Sequence, residues 1–293
     1  MVHAMDMMGA LDAFGAWLTE PFALGFQQRA LAGGLLAAVM TSIVGTWLVL
    51  RGMSFFGDAF VHGIVPGIAA AIALDLNPIL GAAIAAVVMV LAIEAVHRQS
   101  SLSEDTAIGL LFVGMLALGV AIVSRMESYA GSLTTILFGD ILGISASGIA
   151  VQAILAVIVI GAALILYRPL LALAFNPQKA ALLGMQPKRA HAALLVLIAA
   201  AVIGSYQAVG TLLVFGLLVG PAATAALLAR TIPSMMAIAC AIGMGSVIIG
   251  LVLSYHLDTA GSATMALVPV CCFFIVLAIR WIERVTGSLG RHA

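Results

Sequence analysis

Long apolar stretches separated by short polar breaks run along the whole chain. Because about 20 apolar residues carry a helix across the hydrocarbon core of a bilayer, each stretch predicts one transmembrane span. The predicted spans are Ala30–Leu50, Phe56–Leu74, Ile79–Val96, Thr106–Ser124, Gly148–Tyr167, Ala190–Ile203, Val209–Ala229, Met235–Tyr255 and Ala263–Ile279. If one of these segments is re-entrant, eight spans result. The pattern therefore predicts an all-α, polytopic membrane protein with about eight to nine transmembrane helices.

More polar segments divide the chain around these spans. Residues 1–28 mix acidic and apolar residues and predict a lead-in, followed by a membrane domain over residues 29–280 and a tail over residues 281–293. Residues 125–147 are too polar for a lipid-facing helix, so a loop and a short helix partly buried in the bundle are predicted there. The polar triplet at residues 205–207 predicts the joint between the sixth and seventh spans.

The longest basic segment covers residues 168–190. Asn176 suits the N-cap of a short helix, Pro177 suits its first turn and Gly184 suits its end. Since cytoplasmic loops carry an excess of lysine and arginine, this helix and the arginine-containing tail are predicted to lie in the cytoplasm. Nine spans then place the N-terminus outside.

Composition supports a membrane protein. Hydrophobic residues make up 64% of the 293 residues and charged residues 8%, whereas soluble domains carry roughly 25% charged residues. The net charge is zero, which argues against nucleic acid as a partner. The three cysteines match no familiar metal pattern. The sequence lacks GxxxxGK[ST] and HExxH, so it is not expected to be an enzyme or to hydrolyse ATP itself.

Asp58 and His62 are the outstanding polar pair. They lie four residues apart in the second span, so a helix places both side chains on one face. Ionisable groups inside a membrane are costly and usually functional. A carboxylate and an imidazole suit Mn²⁺, Fe²⁺ or Zn²⁺, and the pair is predicted to line a metal path. The alternative is that the two side chains bond each other or a neighbouring helix and contribute only to packing.

One chain offers only these two side-chain ligands in the span, and a second copy related by a twofold axis would supply two more. Pro66 follows His62 by four residues and removes the N–H that would bond the His62 carbonyl. That carbonyl, or a water it holds, is predicted to join the path. Glu94 is expected in an interfacial ion pair, Asp140 in a cap or cavity, and His256 in a solvated outer turn.

Six stretches together are similar, in sequence and in order, to a known family. They are RGMSFFGDAFVHGIVPG at 51–67, SEDTAIG at 103–109, SYAGSLTTILFGDILGIS at 128–145, FNPQKAALLGM at 175–185, VGTLLVFGLLVGPAATAALL at 209–228 and LSYHLDTAGSA at 253–263. Through them the chain resembles the integral membrane subunits of bacterial ABC importers for manganese, zinc and iron.

The resemblance implies a homodimeric permease of the inner membrane that receives metal from an extracytoplasmic binding protein and docks cytoplasmic ATPase subunits. The metal is its cargo, and no stably bound cofactor is expected. The residues of the family implicated in metal passage fall on Asp58 and His62. The family's coupling helix corresponds to Asn176–Gly184, where the docking positions expected here are Asn176, Pro177, Gln178, Ala181, Leu182 and Gly184. Asn176 and Gln178 stand where acidic residues are common in the family.

Two other function classes compete with a metal permease. A secondary transporter driven by a proton or sodium gradient would be expected to show repeats and paired broken helices, and the cytoplasmic helix would then have no role. A membrane enzyme would need a catalytic set, and none is recognisable. An ATP-driven importer of a divalent transition metal is therefore the predicted function.

Overall fold

Helices make up almost all of the chain that the structure, a computed structural model, describes: residues 15–99, 104–125, 139–175, 181 and 186–289. No strand occurs within these ranges. After a 3₁₀ turn at Glu20–Ala23, the helices are α1 (Gly25–Leu50), α2 (Ser54–Gly63), α3 (Val65–Ala73), α4 (Pro78–Gln99), α5 (Glu104–Val123), α6 (Ala146–Ile165), α7 (Tyr167–Phe175), α8 (Pro187–Val209), α9 (Thr211–Leu228), α10 (Ile232–Leu257) and α11 (Gly261–Leu289).

The predicted spans are confirmed. Seven helical segments in the described residues are long and apolar enough to cross a membrane, with α2 and α3 counted together. Two shorter apolar helices, Pro78–Ile93 and Val214–Leu228, account for the third and seventh predicted spans. Nine apolar segments therefore correspond to the nine predicted from hydropathy alone.

The second span is broken in the middle, although its hydropathy predicted one continuous helix. Helix α2 ends at Gly63, α3 begins at Val65, and Ile64 lies between them. Pro66 stands in the first turn of α3. Its ring cannot donate to the His62 carbonyl and clashes with it, so the hydrogen-bond ladder stops here.

The predicted joint at residues 205–207 is wrong. These residues lie inside α8, which continues to Val209. The break is at Gly210, whose φ of 82° and ψ of 156° belong to a region that only glycine adopts readily. Gly139, also at positive φ, packs its Cα against the backbone of Gly210. A packed helix tolerates the three polar residues, whereas the backbone conformation of Gly210 cannot occur inside a helix.

Several predicted ends shift by a few residues. Helix α1 begins at Gly25, so residues 25–28 of the predicted lead-in are helical, and α11 continues through residues 281–289 of the predicted tail. Residues 139–145, at the end of the predicted polar segment, form a loop that includes a turn, and residues 126–138 of that segment lie outside the described residues. Ser145 then caps α6 by accepting the N–H of Gly148.

Helix α1 is the centre of the bundle. It packs against α6, α8, α9 and α10 and has most of its residues buried, whereas only a minority of the residues of α5, α6 and α11 are buried. It ends in a Schellman motif, in which Met53 donates to the Leu48 carbonyl and Gly52, at φ 67°, donates to the Val49 carbonyl. The chain thereby turns directly from the central helix into α2.

Gly45 allows α1 and α9 to approach closely. A Cβ at this position would collide with the carbonyl oxygen of Leu218 in α9. Gly67 and Gly81 make the corresponding contact between α3 and α4, where a Cβ on either would collide with the carbonyl oxygen of the other. Small residues serve helix packing in membranes in this way because burial of apolar surface from water does not drive it there.

We expect Gly45→Ala to lower the thermal unfolding temperature of the purified protein in detergent, because overpacking at a tight contact costs about 1–3 kcal/mol. Gly161→Ala in α6 is the matched control, since nothing lies within 4 Å of a Cβ added there. Equal unfolding temperatures for the two variants would contradict the close approach.

Candidate functional site

Asp58 and His62 lie side by side on α2, as their spacing predicted. Nε2 of His62 is 3.7 Å from Oδ1 of Asp58. This distance is within the range of an ion-pair contact. The His62 side chain is 10% exposed and that of Asp58 is 31% exposed. The histidine is therefore held inside the bundle, while the carboxylate reaches toward its surface.

The distance between the two side chains fits a shared cation better than a direct hydrogen bond. Hydrogen bonds between nitrogen and oxygen span about 2.7–3.2 Å. Metal–ligand bonds to imidazole nitrogen and carboxylate oxygen are about 2.0–2.2 Å, so two ligand atoms of one ion lie roughly 3–4 Å apart. The 3.7 Å separation falls in that range.

The imidazole ring of His62 packs against an aromatic side chain of α5. The centroid of the His62 ring is 5.5 Å from that of Phe112 on α5, in an edge-on arrangement, and the Phe55 ring centroid is 6.2 Å from that of Phe112. Nδ1 of His62 is buried and has no hydrogen-bond partner among the described residues. Such an unpaired nitrogen is costly in a structural role. The ring is thus positioned by apolar packing rather than by a hydrogen-bond network.

Within the described residues, one chain does not complete a metal site around this pair. The described residues contain no group of three or more histidine, cysteine, aspartate or glutamate side chains close enough to hold an ion. A metal ion at Asp58 and His62 would therefore need further ligands, which is why a second copy of the chain was predicted to contribute to the site.

The His62 carbonyl is freed from the regular helix ladder, as Pro66 predicted. It accepts the N–H of Ile64, two residues along the chain, in place of a bond four residues along. The next regular bonds begin beyond the break, where the N–H of Ile68 bonds the Ile64 carbonyl at 3.1 Å. The break at Ile64 therefore lies within one helical turn of His62 and less than two turns from Asp58.

Arg51 connects the start of this region to α7, a contact that the sequence analysis missed. Its Nη1 donates to the Leu173 carbonyl at 2.9 Å. Four residues before Arg51, the ring of Trp47 packs edge-on against that of Tyr167, with centroids 5.4 Å apart. Leu173 lies in the last turn of α7, where carbonyls lack helical partners and a cation is favoured. No local sequence pattern predicts a contact between residues that are 122 positions apart in the chain.

The predicted coupling helix lies mostly outside the described residues. Asn176, Pro177, Gln178, Leu182 and Gly184 are among the undescribed positions. Ala181 is described, and it is exposed. Helix α7 ends at Phe175, directly before this segment.

The other polar candidates have local roles. Asp140 accepts the N–H of Gly143 at 2.9 Å, which is the capping role weighed for it. Nε2 of His256 lies 2.9 Å from the carbonyl oxygen of Trp17, and its ring stacks on that indole with centroids 4.4 Å apart. His256 is therefore packed at the end of α10 rather than free in a solvated turn. The side chain of Glu94 is outside the described part.

Residues 23–280 match the family model of the ABC 3 transport family. The chain is 36% identical over 251 residues to the manganese transport system membrane protein MntC of Listeria innocua, covering 86% of this chain and 89% of the relative. It is 33% identical over 262 residues to a protein of Haemophilus influenzae named as a probable iron transport system membrane protein, covering 89% and 96%.

A solved structure, PsaBC from Streptococcus pneumoniae in complex with Fab, superposes with a TM-score of 0.82 at 28% identity, covering 90% of this chain and 95% of that one. The architecture of the helices and the sequence relationship thus agree over nearly the full length. The chain belongs to the ABC 3 transport family and is a multi-pass protein of the bacterial inner membrane.

Proposed function

We propose that the chain is the permease subunit of an ATP-driven importer that carries a divalent transition metal, manganese, iron or zinc, into the cytoplasm. The observation that carries the proposal is the Asp58–His62 pair, an oxygen and a nitrogen ligand held 3.7 Å apart within an apolar span. The Listeria and Haemophilus relatives, named for manganese and iron transport, support the same class of cargo.

The Asp58–His62 pair suits the passage of a metal ion rather than its stable storage. Two side-chain ligands bind an ion weakly, and a transport path needs sites that release the ion again. Two copies of the chain facing each other would double the set to two aspartates and two histidines. The His62 carbonyl beside the Pro66 break adds an oxygen at the same level. Metal would be delivered by an extracytoplasmic binding protein on the outer side.

The energy comes from a separate ATPase. The segment Asn176–Gly184 follows α7 on the basic side of the chain and is the proposed docking helix, with Asn176, Pro177, Gln178, Ala181, Leu182 and Gly184 as the residues that contact the ATPase. Movement of this segment is passed to packed helices as rigid-body gating.

Arg51 is the proposed link between docking and gating. Its bond to the Leu173 carbonyl attaches the turn between α1 and α2 to the last turn of α7, three residues before the docking segment begins. Asp58 lies seven residues after Arg51. A shift of α7 is thereby transmitted through the guanidinium to the helix that carries the metal ligands.

Replacing the ligands should abolish uptake without preventing assembly. Asp58→Asn and His62→Gln keep the side-chain size, and each should reduce accumulation of radioactive or fluorescence-reported metal in cells by roughly 10- to 100-fold or more, since even supporting residues of metal sites have effects of that size. Asp75→Asn, on the turn after α3, is the control and should leave uptake unchanged. Normal uptake in both ligand variants would return the pair to a packing role.

The energy source can be tested in cells that express the chain with its ATPase. Uptake should stop when the ATPase carries a substitution that blocks hydrolysis, and the permease and ATPase should purify together. A proton ionophore applied while ATP is maintained should have little effect. Uptake that survives without hydrolysis and collapses with the ionophore would establish a secondary transporter instead.

Arg51→Gln should uncouple hydrolysis from transport, because it removes a charge-assisted hydrogen bond of about 1.5–3 kcal/mol between α1 and α7. In proteoliposomes containing the purified complex, we expect fewer metal ions transported per ATP hydrolysed, with ATPase activity retained. Arg230→Gln, an exposed arginine on the same basic side, is the control. An unchanged ratio for Arg51→Gln would remove Arg51 from the coupling route.

A further inference from the structure

We propose that a groove between α9 and α11 binds an anionic phospholipid of the cytoplasmic leaflet, with its phosphate on Arg280 and Arg284 and an acyl chain along the apolar wall. This site is separate from the metal path. The groove has a volume of about 530 Å³ and is lined by Leu227, Phe274, Leu277, Ala278, Arg280, Trp281 and Arg284.

The wall of the groove has the chemistry of a lipid-facing surface. Its lining away from the arginines is formed by aliphatic and aromatic side chains, and Phe274 is 62% exposed. Neighbouring side chains of α11, Ile275 and Ile279, are also exposed and extend the apolar surface along the helix. In a bilayer this surface is covered by acyl chains, and a groove in it holds one chain against the protein.

The rim of the groove has the chemistry of a headgroup site. Arg280 and Arg284 are four residues apart on α11, so their side chains lie on the same face, one turn from each other. Neither forms an ion pair with a carboxylate in the part of the chain that the structure describes. Residues 280–284 contain two arginines and one glutamate, Glu283, which leaves a net positive charge.

The level of the groove in the membrane agrees with this assignment. Trp281 is 65% exposed beside the two arginines, and tryptophan is enriched at the headgroup level of membranes. The same rule on positive charge that orients the chain puts this end of α11 in the cytoplasm, where anionic lipids are concentrated and basic pockets between helices bind their headgroups.

A second copy of the chain suits the groove less well. A twofold contact between two such grooves would bring the same arginines of both copies together, since a twofold interface pairs a patch with itself. Burying these charges against an apolar protein surface without a carboxylate would also be costly. A lipid phosphate neutralises them and leaves the headgroup in contact with water.

Quenching of tryptophan fluorescence tests the proposal on the full chain. The protein contains three tryptophans; Trp47 is fully buried, and the component lost in Trp281→Phe reports the groove. We would titrate the protein in detergent with dibrominated phosphatidylglycerol or dibrominated phosphatidylcholine. The anionic lipid should quench the Trp281 component at about 30-fold lower mole fraction, from roughly 1 kcal/mol per arginine.

The double variant Arg280→Gln/Arg284→Gln should lose this preference, so that both lipids quench alike, whereas Arg230→Gln should keep it. Ala278→Phe, which fills the groove without changing its charge, should weaken quenching by the anionic lipid as well. Retained circular dichroism and elution volume would show that the variants fold.

Three results would overturn the proposal. Equal quenching of the wild-type Trp281 component by both lipids would mean that no anionic site exists. No quenching by either lipid would mean that protein, such as a second copy, covers the groove. Relief of the quenching by water-soluble glycerol phosphate would show that the arginines take a free anion rather than a lipid.

Discussion

The cost of leaving polar groups unpaired in hydrocarbon governs this protein. Lipid offers no hydrogen bonds, so each backbone group must be satisfied within its own helix or by a neighbour, and ionisable side chains are rare. Charged residues make up 8% of the chain. One span of the described helices combines two departures from this rule, the Asp58–His62 pair and the break beside Pro66. That combination is the physical argument for the proposed path across the membrane at this place.

Close helix contacts hold the rest of the bundle in place. Gly45 brings the central helix α1 against α9, and Gly67 with Gly81 does the same for α3 and α4. Helix α2, which carries Asp58 and His62, follows Gly45 in the chain and precedes Gly67, and it packs against α5 and α9. This position suits the proposed gating, because packed helices move as bodies rather than deform.

Both ends of α7 contact the end of α1, which is the route of the proposed coupling to α2. At its start, Tyr167 packs edge-on against Trp47, and near its end Leu173 accepts the Arg51 guanidinium. Both contacts are made to the last turn of α1, immediately before the Schellman motif at Gly52. The arginines at the other end of the chain, on α11, instead face outward beside an apolar groove.

Hydropathy by itself determined the helical class, the nine apolar segments and the face shared by Asp58 and His62, because spans and helix periodicity are local properties of the sequence. It placed the joint after the sixth span at residues 205–207, where the structure continues the helix to Val209 and breaks at Gly210. The position of this break was decided only by the tertiary structure, because the backbone of Gly139 packs closely against Gly210. The contact between Arg51 and Leu173 likewise exists only in the folded bundle. Contacts between distant segments depend on how helices pack, which local patterns do not encode.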